Sequence, residues 1–195
     1  MGISIALEGL PGSGKSTAAK AIINDLAAQD LRVRMVDIDT APSTAELRGY
    51  ADACPSTHPQ RMMALWLLRI QQHEAIKAIL PDMDAIVSDR SWWSAVAIDG
   101  YGNGVARDFL GAIGRQMIMP DIVLLLDAPL GVLYKRKGES RTLQDHAFAR
   151  RVARGYRILA RVHGWQVIDA TRTPEQVKEQ CLAIIRTALV GKMCQ

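Results

Sequence analysis

Gly9-Leu10-Pro11-Gly12-Ser13-Gly14-Lys15-Ser16-Thr17 follows the apolar run Ile3 to Glu8 and leads into an Ala-rich stretch from Ser16 to Gln29. It satisfies G-x-x-x-x-G-K-[ST] in the strand-then-helix context that this pattern requires. Glycines let successive backbone N–H groups turn inward around a phosphate, and the start of the helix adds the positive end of its dipole. Gly9, Gly12, Ser13, Gly14, Lys15, Ser16 and Thr17 are therefore expected to cradle ATP. Lys15 should reach the β- and γ-phosphates and the Ser16 hydroxyl should coordinate Mg²⁺.

Beyond this loop, short apolar runs alternate with longer helical patterns, which predicts an α/β fold with a parallel sheet covered on both faces. Strands are expected at Ile3 to Glu8, Arg32 to Ile38, Ala85 to Ser88, Ile122 to Asp127 and Trp165 to Asp169. Helices are expected near Ser16 to Gln29, Pro59 to Leu80, Trp93 to Met117 with a break at Gly100 to Gly104, Pro129 to Lys137, Leu143 to His163, and Pro174 to Val190. Acidic residues fall where the runs end, at Asp37-Ile38-Asp39 and Asp89-Arg90. Polar chemistry thus collects at the carboxyl ends of the strands, the edge at which open α/β sheets bind ligands.

A chain of 195 residues with 49% hydrophobic content buries one core, so residues 1–195 read as one domain. Its charge of +4 raises the question of nucleic acid, membrane or small phosphates as partners. The distribution answers it: Lys135 to Arg161 carries nine basic residues against Glu139 and Asp145, more than the whole excess. A local basic segment suits a small phosphorylated ligand, with no nucleic acid polymer and no membrane as partner. Cys54, Cys181 and Cys194 have neither metal-ligand nor disulfide-framework spacing, and there is no basic leader or long apolar span, so a soluble cytoplasmic protein is expected.

Asp89 and Arg90 end the third predicted strand side by side. Asp89 is a candidate Mg²⁺ ligand, and the planar fork of Arg90 is suited to clamp an acceptor or a transferring phosphoryl group. Phosphoryl transfer also needs positive charge over the γ-phosphate and exclusion of water, which small kinases supply with an arginine-bearing lid. Gly138-Glu139-Ser140 is the expected lid tip within a segment of about 136–145, flanked by Arg136 and Arg141, which are expected to close on ATP. Arg150, Arg154, Arg157 and Arg161 have the spacing of a solvated helix face, with Arg151 open to either role.

Over nearly its whole length the chain resembles the thymidylate kinase family. Leu7-Glu8-Gly9-Leu10 with Gly-Lys15-Ser16-Thr17 is similar to that family's opening, and Ser88-Asp89-Arg90 with Ser94 to its D-R-Y-x-x-S segment. Pro120 to Pro129, Phe148-x-x-Arg151-Val152-x-x-Gly155-Tyr156 and Val167 to Thr171 resemble its fourth strand, post-lid helix and last strand. The resemblance implies a 2-3-1-4-5 parallel sheet in a three-layer P-loop kinase fold, transfer of the ATP γ-phosphate to a nucleoside monophosphate, and often a homodimer. It implies that Arg69 is the helix arginine that binds the acceptor phosphate. The phosphate loop carries no arginine, which resembles members whose catalytic arginines come from the lid.

Departures cluster on the acceptor side. Pro11 stands where family members carry Asp, Asp37-Ile38-Asp39 where they carry an arginine segment, Ser91 in place of the Tyr of D-R-Y, and Ile98-Asp99 in place of a base-reading Tyr-Gln. Trp66, Trp92 and Trp93 are candidates to stack on a base or to fill the core, and Asp99 is a candidate to accept from a base bearing amino groups. A second reading is a kinase acting on a nucleoside or other small hydroxyl compound, with Asp37 or Asp39 as base; their alternative role is ordinary turn chemistry. A third is a nucleotide-binding module without transfer.

Overall fold

β1 (Ile3–Glu8) is buried at every position, as a strand covered on both faces must be. It is the centre of the sheet. The computed structural model describes residues 2–39, 44–55, 58–117, 119–137, 143 and 145–193. β2 (Val33–Asp37), β3 (Ala85–Asp89), β4 (Ile122–Asp127) and β5 (Gln166–Asp169) complete an all-parallel sheet in the order β2-β3-β1-β4-β5. This is the order that the family resemblance implied. The register sets Leu7 beside Asp89, Asp37 beside Asp89, and Asp127 beside Asp169, so the carboxyl ends of the strands form one acidic edge.

α1 (Lys15–Ala27) turns Ala18, Ala19, Ile22 and Leu26 inward at helical spacing. α2 (Thr44–Ala53) was not expected from the pattern, because it buries only Thr44 and Ala51 and so carries no apolar stripe. α3 (Pro59–Ile79) starts with proline at its first position, where the missing N–H costs nothing, and His58 caps it. The expected helix from Trp93 to Met117 is instead three pieces: α4 (Trp92–Ala95), a π-helical segment (Val96–Gly102) and α5 (Arg107–Gly114). The helical path breaks at Asn103 to Ala106, which overlaps the expected Gly100 to Gly104 only at Asn103 and Gly104, because the π-helical turn carries the helix through Gly102. α6 (Leu130–Lys137), α7 (His146–His163) and α8 (Pro174–Met193) follow. α1 and α8 pack against each other and are joined by Arg186 and Asp25 at 2.6 Å. Among the described residues no helix is long and apolar enough to cross a membrane.

The π-helical segment and α7 pack extensively against each other. A Cβ on Gly102 would lie 2.5 Å from the Phe148 ring and 2.8 Å from Val152, and one on Gly155 would lie 2.6 Å from Tyr101. The two helices meet through glycines, and Arg151 Nε donates to the Gly102 carbonyl at 3.1 Å to lock the contact. Arg151 thereby has a structural partner. Arg150, Arg154, Arg157 and Arg161 line the exposed face expected of them, with Arg157 paired to Asp127 at 2.7 Å.

Gly102→Ala forces the π-helical segment away from α7 and is expected to lower stability by about 1–3 kcal/mol, the usual cost of overpacking a close contact. Urea unfolding checks it; an unchanged midpoint would show that the contact has slack.

Candidate active site

Glu8, the last residue of β1, is a carboxylate with no accessible surface, and among the described residues its hydrogen-bond partners are all donors. Its Oε1 accepts from the Ser91 backbone N–H and from the Ser91 hydroxyl, both at 2.8 Å. Its Oε2 accepts from the Ser94 hydroxyl at 2.6 Å and from the Tyr156 hydroxyl at 3.2 Å. The end of β1 is thereby tied to the segment after β3 and to α7. Sequence reasoning did not assign Glu8 or Tyr156 a role at the site; the available signal was a single acidic side chain closing an otherwise apolar strand.

Directly after Glu8 the phosphate loop curls over the sheet edge. Lys15 is buried, and its Nζ donates to the Leu10 carbonyl at 3.0 Å and to Ser13 Oγ at 3.4 Å. Burial first, and the nearby Arg90 guanidinium second, push its pKa down to about 7. Asp89 and Glu8 oppose the shift. Gly12 sits at φ +82, and a Cβ there would come within 2.9 Å of the Leu133 carbonyl, so the loop rests directly on α6.

Ser16 Oγ donates to Asp89 Oδ2 at 2.5 Å. These two oxygens come from the start of α1 and the end of β3, and together they offer hard donors at the mouth of a cleft of about 800 Å³. Among the described residues no group of three or more His, Cys, Asp or Glu side chains could hold a metal ion. An all-protein cage is thus not present there, whereas Mg²⁺ characteristically binds one or two protein oxygens together with water and substrate phosphates. Ser16 and Asp89 fit that demand.

Arg90 lines the same cleft. Its backbone is left-handed, φ +76, an uncommon state for a residue with a Cβ, and it is held there by the bond from its N–H to the Leu7 carbonyl at 3.0 Å. Its Nη1 donates to the Gly9 carbonyl at 3.2 Å and to the Ser94 and Tyr156 hydroxyls at 3.3 Å each. Burial opposes its charge, but Tyr156, Glu8 and Asp89 outweigh that and hold its pKa above the ordinary arginine value. Burial also pushes the Tyr156 phenol well up, so it stays neutral and keeps its proton to donate.

Arg69 is buried under this group, with Nη1 donating to the Ser91 carbonyl at 2.9 Å. Burial lowers its pKa, with Glu8 acting the other way; a guanidinium stays charged regardless. Trp66 and Asp99 are spent on one another. The Trp66 indole N–H donates to Asp99 Oδ2 at 2.7 Å, Asn103 donates to Asp99 Oδ1 at 3.0 Å, and both residues are buried. Both carboxylate oxygens are thus engaged within the protein, and burial raises the pKa of Asp99. Trp66 meets Trp92 edge to face at 5.8 Å, and Trp93 packs on His163 and Trp165 outside the nucleotide cleft. Trp66 and Trp92 occupy buried packing positions rather than open stacking faces, and Trp93 is half-buried at a separate cleft.

Asp39 is exposed and pairs with Arg48 at 2.6 Å, while Asp37 Oδ1 accepts from the Asp39 N–H at 2.9 Å. This is turn chemistry at a strand end. Arg136 lines the same cleft as Lys15 and Arg90 and donates to the Ala170 carbonyl at 2.6 Å. Arg141 and the expected lid tip at Gly138 to Ser140 lie outside the described residues.

Comparison with known proteins bears on this arrangement. The family model for thymidylate kinase matches residues 7–181. The chain belongs to the thymidylate kinase family. It is 32% identical over 202 residues to the thymidylate kinase of Methylococcus capsulatus, covering 97% of this chain and 93% of that one. It is 31% identical over 210 residues to the thymidylate kinase of a Synechococcus strain, with 91% and 95% covered. The probable thymidylate kinase 1 of Saccharolobus solfataricus is 26% identical over 187 residues, with 95% and 97% covered. With the thymidylate kinase family comes the reaction type: the chain is an ATP-dependent nucleoside monophosphate kinase.

The pKa of Lys15 gives a prediction for the protein without nucleotide. The unfolded chain keeps the Lys15 proton up to about 10.5, whereas the folded chain releases it above about 7. The unfolded state therefore binds more protons between these values, and the Lys15 contribution to stability rises with pH across that window. Lys15→Met removes that contribution. Urea unfolding at several pH values between 7 and 10 is expected to show a smaller rise for the variant; parallel curves would contradict the assignment.

Proposed function

We propose that this sheet edge moves the γ-phosphoryl group of ATP onto the phosphate of a nucleoside monophosphate, with Lys15 on the ATP phosphates and Arg90 on the acceptor. The observation that carries this reading is the adjacency of Asp89 and Arg90, since Asp89 bonds Ser16 while Arg90 lines the same cleft as Lys15. One residue faces the donor's charge and its neighbour faces the acceptor.

The acceptor phosphate is already ionised at neutral pH, so no protein base is required. Its oxygen attacks the γ-phosphorus, the bond from that phosphorus to the β–γ bridging oxygen breaks, and ADP leaves with the electron pair. The protein's task is positioning and neutralisation of charge. Backbone N–H groups from Gly12 to Thr17 and the start of α1 hold the donor phosphates, and Lys15 follows charge onto the β–γ bridge. Arg90, with Arg69 beneath it, orients the acceptor. Arg136, and Arg141 from the lid, add positive charge over the donor. Ser16 and Asp89 would hold Mg²⁺, which supplies neutralisation of the β- and γ-oxygens when bound. The engagement of Asp37 and Asp39 in a turn and an ion pair favours a phosphate acceptor over a hydroxyl acceptor.

Turnover with a panel of nucleosides and nucleoside monophosphates, thymidine monophosphate included, tests the acceptor class. Product is expected from monophosphates alone; product from nucleosides alone would overturn the proposal. Lys15→Ala is expected to lose about 100-fold or more in kcat while remaining folded, the scale on which removal of one transition-state charge contact acts. Arg90→Ala is expected to lose about 10-fold or more in kcat/KM for the acceptor with ATP affinity nearly unchanged. Undiminished turnover by either variant would remove that residue from the site.

A further inference from the structure

Glu8 and Arg90 have opposite charge and lie in one cluster, yet they share no direct hydrogen bond or ion pair. Two hydroxyls stand between them. Ser94 Oγ donates to Glu8 Oε2 and accepts from Arg90 Nη1; Tyr156 Oη does the same from the other side, at 3.2 Å and 3.3 Å. The two hydroxyls are 3.0 Å apart. Each hydroxyl gives its one proton to Glu8 and accepts from Arg90, so two chains run from the guanidinium through oxygen to the carboxylate in a buried network, where such bonds reinforce one another.

The consequence lies in what this leaves undone. Among the described residues Nε and Nη2 of Arg90 make no hydrogen bond, and Arg90 is one of the residues that line the cleft. One nitrogen of the fork is pinned inward while the other two are left for a ligand. A direct Glu8–Arg90 fork would occupy two donors at once, whereas hydroxyl bridges deliver the carboxylate's charge through one nitrogen. Arginine has several rotatable bonds and a backbone in an uncommon conformation here, so its orientation depends on these contacts.

We propose that Tyr156, together with Ser94, is a positioning residue for the acceptor: its hydroxyl relays the Glu8 charge to one nitrogen of Arg90 and so aims the other two into the cleft. Tyr156 reaches the network from α7, which the glycine contacts clamp to the π-helical segment. Among the described residues it is the one member of the network that α7 supplies. The placement of α7 thus sets the aim of the acceptor arginine at a distance of 66 residues along the chain. The inference rests on the assignment of Arg90 to the acceptor.

The test is steady-state kinetics with a turned-over nucleoside monophosphate for the wild type, Tyr156→Phe, Arg90→Lys and the double variant, with circular dichroism confirming the fold. Tyr156→Phe is expected to lower acceptor kcat/KM about tenfold and to leave the KM for ATP within about twofold, as a loss of aim at one substrate should. In the Arg90→Lys background the same change is expected to cost less than about twofold, because the group it positions is already gone. Tyr156→Phe with wild-type acceptor kinetics, or with an equal loss in both backgrounds, would overturn the inference. Ser94→Ala runs through the same cycle and carries the same outcomes should the tyrosine variant not fold. Arg90→Lys without effect on the acceptor would instead remove the assignment on which the inference rests.

Discussion

A carboxylate with no access to water holds the active edge of this molecule together. Burying an ionised group without partners is prohibitive, and Glu8 is tolerated because four donors converge on it from two other parts of the chain. The same four bonds fix the turn after β3, which is where Arg90 takes its left-handed backbone. They also fix α4 through Ser94 and α7 through Tyr156. Had the strand ended in an apolar residue, the sheet would still pair, but the Gly-rich loop, the turn after β3 and α7 would be joined chiefly through Arg90, which bonds Gly9, Ser94 and Tyr156.

Around that anchor the charges are arranged in a state of tension. Lys15, Arg90 and Arg69 converge on one region, and burial together with mutual repulsion disfavours the charge of Lys15. Lys15 buried beside the Arg90 guanidinium is a cation suited to meet an anion, since a phosphate relieves the repulsion and the desolvation together. Asp89 is opposite in sign, and with Ser16 it offers the hard oxygens that would hold a divalent cation. Stability without ligand is thereby lowered at the place where ligand binding restores it, an arrangement that couples occupancy to order.

Most of the architecture was legible in the residues. The alternation of apolar runs and helical patterns located all five strands to within a residue or so: β1, β3 and β4 are buried nearly throughout and leave unbroken apolar runs, whereas the half-exposed edge strands β2 and β5 were read from shorter apolar stretches. The sheet order came from the family resemblance rather than from periodicity, which carries no information on which strands neighbour each other. α2 escaped notice because it buries little, and helix periodicity exists only where a helix has a face to hide. The phosphate loop and Asp89-Arg90 could be read because their chemistry is local in sequence. The Glu8 network could not, since its members are separated by up to 148 residues and each alone is an ordinary serine, tyrosine or glutamate. Trp66 and Asp99 looked like recognition groups for a related reason: the sequence shows a side chain's capacity to bond but not that Trp66 and Asp99 bond each other.

The central claim is that one continuous site takes donor and acceptor together, with Lys15 and Arg90 at either end of the transferring phosphoryl group. Isothermal titration with adenosine joined to a nucleoside through an oligophosphate chain tests this most directly. The ligand spans both halves, so its dissociation constant is expected to fall at least about 100-fold below that of ATP in the presence of magnesium, with one molecule bound per chain. A dissociation constant equal to that of ATP would show that the second half of the site is not there.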